Sequence, residues 1–375
     1  MLYRSFPRNG EKVSAVSLGA EHLLQVDKPT CLDVVSAAID HGMNYMDLFM
    51  SEAFIRDWMG EALRGRRDKM LIAGHLGCTQ KDGQYFRTRD LGMCEQFMDD
   101  LLTRLGTDHI DVLMMHFVDT MDDVRVCLEP DGFLGLAERY LKQGKARMLG
   151  FSSHSPVASR ALVETGLFDA VMFSINPAMD LMPADATLDD LFSEKVGERA
   201  ATAADFSPER MAFYRQCEAA KTGIVVMKGY GSGQLLKQPG MTPEKAIHYA
   251  LTRPGVVTMA AGCRKVSEVE AAARYCEAAD AERDYTSFMS QARWNPAGAC
   301  MYCNHCLPCP QGIDVAAVTR LLHRHEEGDA GASFDYRKLP VSSGDCLACG
   351  DCAKRCPFGV DSVGNMARAH ELMGK

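Results

Sequence analysis

No stretch of this chain approaches the ~20 consecutive apolar residues that a membrane span requires. Positive charge is not in excess either: 41 Lys and Arg stand against 50 Asp and Glu, a formal net charge of -9. Nucleic acid and anionic lipid are bound by clustered cations, so neither is an expected partner. The opening MLYRSFPRNGEKVSAVSLGA has basic residues but no long apolar run behind them, and does not read as a secretory leader. The expected location is the cytoplasm. Cysteine is sparse through residue 276, with seven scattered singly at Cys31, Cys78, Cys94, Cys127, Cys217, Cys263 and Cys276. That scatter excludes a disulfide scaffold, which spreads its cysteines over a small secreted domain.

The other eight cysteines crowd into residues 300–356. The first run is CMYCNHCLPCP, with Cys300, Cys303, Cys306 and Cys309 followed by Pro310; the second is CLACGDCAKRCP, with Cys346, Cys349, Cys352 and Cys356 followed by Pro357. Both continue alike, as PQGID and PFGVD, so the module is an internal repeat. The second run has the spacing of bacterial ferredoxin runs, in which the fourth cysteine serves the other cluster. The first is one residue shorter before its last cysteine. The crossed rule assigns Cys300, Cys303, Cys306 and Cys356 to one [4Fe–4S] cluster and Cys346, Cys349, Cys352 and Cys309 to another. Structural zinc favours two CxxC pairs separated by a longer loop rather than four cysteines in ten residues. A helical segment, DVAAVTRLLHRHEEG at 314–328, separates the runs.

Upstream, short apolar runs alternate with longer segments of helical period. The runs lie at 13–19, 44–49, 69–76, 110–117, 146–152, 170–176, 223–229 and 256–262. The helical segments lie near 31–42, 53–64, 93–105, 132–143, 156–166, 208–221, 243–252 and 265–279. Eight strand–helix units predict an α/β fold, a (β/α)8 TIM barrel over 1–279, with functional residues at the C-terminal strand ends. A linker over 280–299 and a small, mainly α-helical two-cluster ferredoxin domain over 300–375 complete the expected organisation. Residues 177–207 interrupt the rhythm and read as a lid or irregular loop.

Longer motifs carry a resemblance. NYMDLFMSE with MGEALRGRRDKMLIAGHLG, RLGTDHIDVLMMH, GKARMLGFSSHSP, VMKGYGSGQL and ALTRPGV resemble the aldo/keto reductase family. With the cysteine runs, the whole chain resembles the branch carrying a C-terminal two-cluster ferredoxin domain. The resemblance implies a mouth with an Asp, Tyr, Lys and His and an NADPH hydride donor. Asp47 and His116 match the Asp and His, but Glu52 stands at the Tyr position and His75 at the Lys position. A Tyr acid near pKa ~10 relies on its Lys neighbour, whereas imidazole near ~6.5 needs no such tuning. At the nicotinamide positions Ser152 is kept, Ser153 stands for Asn, Met172 for Gln and Met227 for an aromatic ring. Gly231, Gly233, Arg264 and Lys265 are candidate phosphate contacts, Asn176 and His154 end strands six and five, and Lys228 is a candidate anion contact. Tyr45, two residues before Asp47, is expected in the core.

The leading expectation is an iron–sulfur oxidoreductase passing electrons between the clusters and a small organic substrate in the barrel. A ferredoxin, flavodoxin or flavoprotein is the expected electron carrier, with NAD(P)H or flavin as a further cofactor candidate. The alternatives are an NAD(P)H-dependent carbonyl reductase with structural or regulatory clusters, and a non-catalytic electron-transfer or redox-sensing subunit.

Overall fold

The computed structural model describes residues 1–180, 208–285, 288, 300, 306–326, 331–356 and 359–374. Eight parallel strands close into a barrel: β1 (Val16–Gly19), β2 (Tyr45–Leu48), β3 (Leu71–Leu76), β4 (Ile110–Met115), β5 (Ala146–Ser153), β6 (Ala170–Ser174), β7 (Gly223–Met227) and β8 (Val256–Gly262). They follow one another around the barrel in chain order, and β8 returns to β1 with Met259 opposite Val16. This is the expected (β/α)8 architecture. The strands are nearly all buried because helices cover them outside and side chains fill them inside. Tyr45, Ala73, Val112, Met114, Met148, Met172 and Val225 form that interior.

The N-terminal end is closed by a hairpin, Tyr3–Ser5 with Lys12–Ser14. Its Phe6 ring meets Tyr45 at 6.3 Å between centroids. A Cβ at Gly223, the first residue of β7, would lie 2.9 Å from the same ring, so glycine is needed there. Tyr45 is therefore core, as expected, and burial pushes its phenol well above the usual range.

The covering helices are α1 (Lys28–Asp40), α2 (Ala53–Ala62), α3 (Leu91–Leu105), α4 (Phe133–Lys142), α5 (Pro156–Glu164), α6 (Pro208–Ala219), α7 (Pro243–Leu251) and α8 (Val266–Ala273). Several start on side-chain caps: Asp27 accepts from Thr30 N, Asp90 from Met93 N and Ser155 from Ala158 N. Each such cap stabilises by about 1 kcal/mol and fixes where a strand-end loop stops.

One element went unread in the sequence. Cys78–Lys81 pairs with Gln84–Arg87 in a hairpin after β3. CTQK and QYFR carry no apolar alternation, so period-based reading misses them. Of the expected 177–207 insertion, Pro177–Asp180 is helical and 181–207 lies outside the described residues. Most of the expected 280–299 linker also lies outside them, while Asp280–Arg283 is helical.

Asp180 is buried and engaged three times. Arg210 Nε donates to it at 3.1 Å, Tyr214 OH at 2.5 Å and Tyr249 OH at 2.9 Å. Removing one partner of a buried ion pair leaves an uncompensated charge. Asp180→Ala should therefore cost about 3–5 kcal/mol, read as a lower urea midpoint at unchanged slope. A loss under 1 kcal/mol would show that water reaches Arg210.

The second compact unit gathers Gln80–Phe86 with the C-terminal residues. Its helices are α9 (Val315–Glu326), α10 (Ala332–Tyr336), α11 (Asp351–Arg355) and α12 (Ser362–Met373). Its core is Leu307, Ile313, Val318, Leu322, Tyr336, Met366 and Met373. Among the described residues no helix is long and apolar enough to cross a membrane.

Candidate functional site

Strands β2, β3 and β4 are adjacent and in register, which brings three side chains into line. His75 Nε2 lies 2.9 Å from Asp47 Oδ1, and His75 Nδ1 lies 2.9 Å from His116 Nδ1. All three are buried, with 4–7% of their surface exposed. Phe49 stacks on His116, its ring plane 9° away, and meets His75 edge-on. Burial first, then the nearby His75, Arg89 and Arg87, hold His116 well below the ordinary imidazole pKa. His116 is thus the neutral ring at neutral pH.

The contacts define two proton states. In both, His75 donates Nε2–H to the Asp47 carboxylate. With an extra proton on the line, His75 Nδ1–H donates to His116 Nδ1, and His116 carries its own hydrogen on Nε2. Without it, His75 Nδ1 is bare, His116 donates from Nδ1, and His116 Nε2 is bare. The states differ by one proton delivered at His116 Nε2.

A second line runs through the next strands. Asp119 Oδ2 lies 2.9 Å from His154 Nδ1, and His154 Nε2 lies 2.9 Å from Lys228 Nζ. Asp119 also accepts from His154 N and Ser153 Oγ. Burial and then Lys228 push the His154 pKa down. Burial pushes the Asp119 carboxyl up, but electrostatic attraction to His154 and the hydrogen bonds from His154 and Ser153 outweigh it and hold the carboxyl below the usual range. A neutral His154 accepts from the Lys228 ammonium, which fixes a positive charge at the end of β7.

Several residues expected to hold a nicotinamide also make contacts within the chain. Ser152 Oγ accepts from Phe117 N at 2.8 Å, steadying a non-glycine residue at φ +55°. Asn176 Nδ2 donates to Lys228 O, and its Oδ1 accepts from Ala178 N and Met179 N. Gly231 and Gly233 were expected to wrap a pyrophosphate. Their N–H groups instead donate to Lys228 O and Tyr230 O within their own turn. Arg264 and Lys265 are exposed at the start of α8, where Glu268 accepts from Arg264 N. Glu52 ends the loop before α2 and accepts from Ser51 N. It is a charged neighbour of Glu21.

Sequence reading missed Asp119 and Glu21. Asp119 follows β4, and Glu21 follows β1 in the 3-10 helix Ala20–Gln25. Their positions just past strand C-terminal ends were the available signal.

In the second unit, Cys309, Cys346, Cys349 and Cys352 line one small cavity. Pro310, Ile313, Val315 and Met366 complete its wall. The second run is tightly turned: Ala348 and Gly350 have φ +53° and +77°, and Ala348 N donates to Cys346 Sγ at 3.4 Å. Arg355 donates to the carbonyls of Cys306 and Pro308, tying the runs together. Gln84, also unanticipated, brackets Cys309 by accepting from its N–H at 2.8 Å and donating to its carbonyl at 3.1 Å. Cys303 lies outside the described residues. Among the described residues no three His, Cys, Asp or Glu side chains converge closely enough to hold a single metal ion. Six of the seven scattered barrel cysteines are buried and Cys276 is half-buried; burial pushes the Cys31, Cys94 and Cys263 thiols up to about 12.

Residues 15–182 match the model of the aldo/keto reductase family. The chain carries an aldo/keto reductase family domain. That domain is 25% identical over 164 residues to the aldo-keto reductase YhdN of Bacillus subtilis (strain 168), covering 41% of this chain and 48% of that protein. It is 30% identical over 170 residues to the aryl-alcohol dehydrogenase [NADP(+)] of Phanerodontia chrysosporium, covering 39% of this chain and 42% of that protein. The matches thus span about half the length of these curated relatives. Among solved structures, the aldo-keto reductase AKR11C1 from Bacillus halodurans (holo form) aligns with TM-score 0.60 at 19% identity. That alignment covers 78% of this chain and 97% of the other, and shows the aldo/keto reductase barrel as a fold.

Proposed function

We propose that the chain is an oxidoreductase in which two [4Fe–4S] clusters exchange electrons with a ferredoxin, flavodoxin or flavoprotein, while the barrel converts a small organic substrate. The observation that carries this reading is the shared cavity of Cys309, Cys346, Cys349 and Cys352. These four are the crossed set that the ferredoxin spacing rule assigns to one cluster. Zinc would hold its sulfurs about one point at ~2.3 Å, and among the described residues no three such side chains converge that closely. Cys300, Cys306 and Cys356, with Cys303, would hold the other cluster. When bound, such clusters supply electrons one at a time.

The chain's own residues do the rest. The Asp47–His75–His116 line holds and moves a proton at His116 Nε2. The Lys228 ammonium, steadied by His154 and Asp119, offers positive charge to an anionic group. Phe49 and Phe117 give the mouth apolar walls. A nicotinamide cofactor is a second reading, favoured by the relative named for NADP(+).

Anaerobic purification with iron, sulfide and zinc assays tests the leading reading, together with identification of any co-purifying small molecule. Stoichiometric zinc with little sulfide would sink it. Bleaching of the cluster absorbance by NADPH alone would support the nicotinamide reading. With NADPH and simple aldehydes, turnover should be far below that of aldo/keto reductases having a Tyr–Lys pair. Family-typical rates would mean that Glu52 and His75 replace that pair.

A further inference from the structure

The potential of an iron–sulfur cluster depends on the hydrogen bonds its sulfurs receive. A donor aimed at sulfur offsets the negative charge that reduction adds, so each such bond raises the potential. The direction in which backbone N–H groups beside the cysteines point is therefore a redox property. In the second unit two of them point differently. Ala348 N donates to Cys346 Sγ at 3.4 Å. The N–H of Cys309 donates instead to Gln84 Oε1 at 2.8 Å, and Gln84 Nε2 donates to the Cys309 carbonyl at 3.1 Å.

We propose that Gln84 is a positioning residue that keeps the potential of the second-run cluster low, by holding the Cys309 N–H away from its sulfurs. This rests on the cluster reading above. Cys309 lines the cavity it shares with Cys346, Cys349 and Cys352. The hairpin is built to present Gln84. Asp82 and Gly83 at its tip have φ +53° and +74°, the two-residue turn whose twist matches that of paired strands. Gln84 is the next residue, and Tyr85 after it packs against the core of the second unit. The Cys309 peptide is fixed from its other side as well. Gly312 N donates to the same Cys309 carbonyl at 2.9 Å, and Arg355 holds the carbonyls of Cys306 and Pro308. With its carbonyl engaged twice and its N–H bound, this peptide does not turn its N–H toward sulfur. A neutral amide achieves this without adding charge, whereas a carboxylate in its place would repel an incoming electron. A cluster kept low in potential is the stronger electron donor, which suits reduction of a substrate in the barrel.

Redox titration of the anaerobically reconstituted full chain, followed by electron paramagnetic resonance, tests this without any substrate. The signal of the second-run cluster is the one that Cys309→Ser removes. Gln84→Met fills the same space and makes neither bond. Its midpoint for that signal should rise by about tenfold in the reduction equilibrium constant, ~59 mV for one electron. Proton ENDOR on the signal should gain one coupling that exchanges in D2O. Gln84→Glu still accepts from Cys309 N but adds a charge, so its midpoint should fall with no new coupling. The other cluster should keep its midpoint in both variants. An unmoved midpoint in Gln84→Met, or a shift without the new coupling, overturns the proposal. Loss of the cluster in both Gln84→Met and Gln84→Leu would make Gln84 a mere support for the loop, and overturns it too. Wild-type protein that takes up no iron and sulfide sinks the cluster reading and this proposal together. A full iron complement with unmoved midpoints sinks this proposal alone.

Discussion

Replacing His116 by alanine should lower turnover by ~10²–10⁴, the usual contribution of a positioned acid–base group, and leave iron content unchanged. On the proposed reading the deliverable proton leaves from His116 Nε2, at the far end of the line from Asp47 and His75. His75→Ala should cost a similar factor because the line is cut between Asp47 and His116. The double variant should lose little more than either single one, since groups acting as a unit are not additive. Asp47→Asn keeps a polar partner for His75 but removes the carboxylate charge, so its loss should be intermediate. A purely structural role predicts the reverse: a lower Tm with activity per folded molecule intact. Measuring Tm and turnover on the same variants separates the two. Until a substrate is known, retention of a co-purifying small molecule by both alanine variants would count against a site here.

Cys309→Ser should damage the cluster of the second run and spare that of its own. Anaerobically reconstituted wild-type protein should hold about eight iron and eight sulfide per chain, the sum of two four-iron clusters; the variant should hold about four of each. Cys352 lines the same cavity, so Cys309→Ser with Cys352→Ser should lose no more iron than either alone. Cys309→Ser with Cys306→Ser should lose nearly all of it. Gln84→Ala frees the backbone of Cys309 from its two hydrogen bonds, and should loosen the same cluster without removing a ligand. Cys78→Ser and Cys217→Ser should leave iron unchanged, because both thiols are buried in the barrel unit. Full iron in Cys309→Ser, or loss confined to the other cluster, would overturn the crossed assignment.

Much of this was legible from residue order. The eight strand–helix units follow from apolar periods and capping signals that act within about fifteen residues, such as Asp27 with Thr30 and Asp90 with Met93. Asp47, His75, His116, His154 and Lys228 could be placed at strand ends because a parallel barrel puts every strand's C-terminus on one face. The hairpin bearing Gln84 could not, since its short polar strands leave no periodic trace.

By itself, then, the sequence determined the barrel and the face where its strand ends gather, both consequences of local period. Only the tertiary structure decided which of those residues touch. Ring-to-ring contact depends on strand register and stagger, which set His75 between Asp47 and His116 and His154 between Asp119 and Lys228. The same holds for Glu21, whose carboxyl is pushed up by burial first and then biased by Lys228, Asp47 and Glu52, far away in the chain. Electrostatic coupling falls off with distance in space, not in sequence, so no reading of order alone contains it.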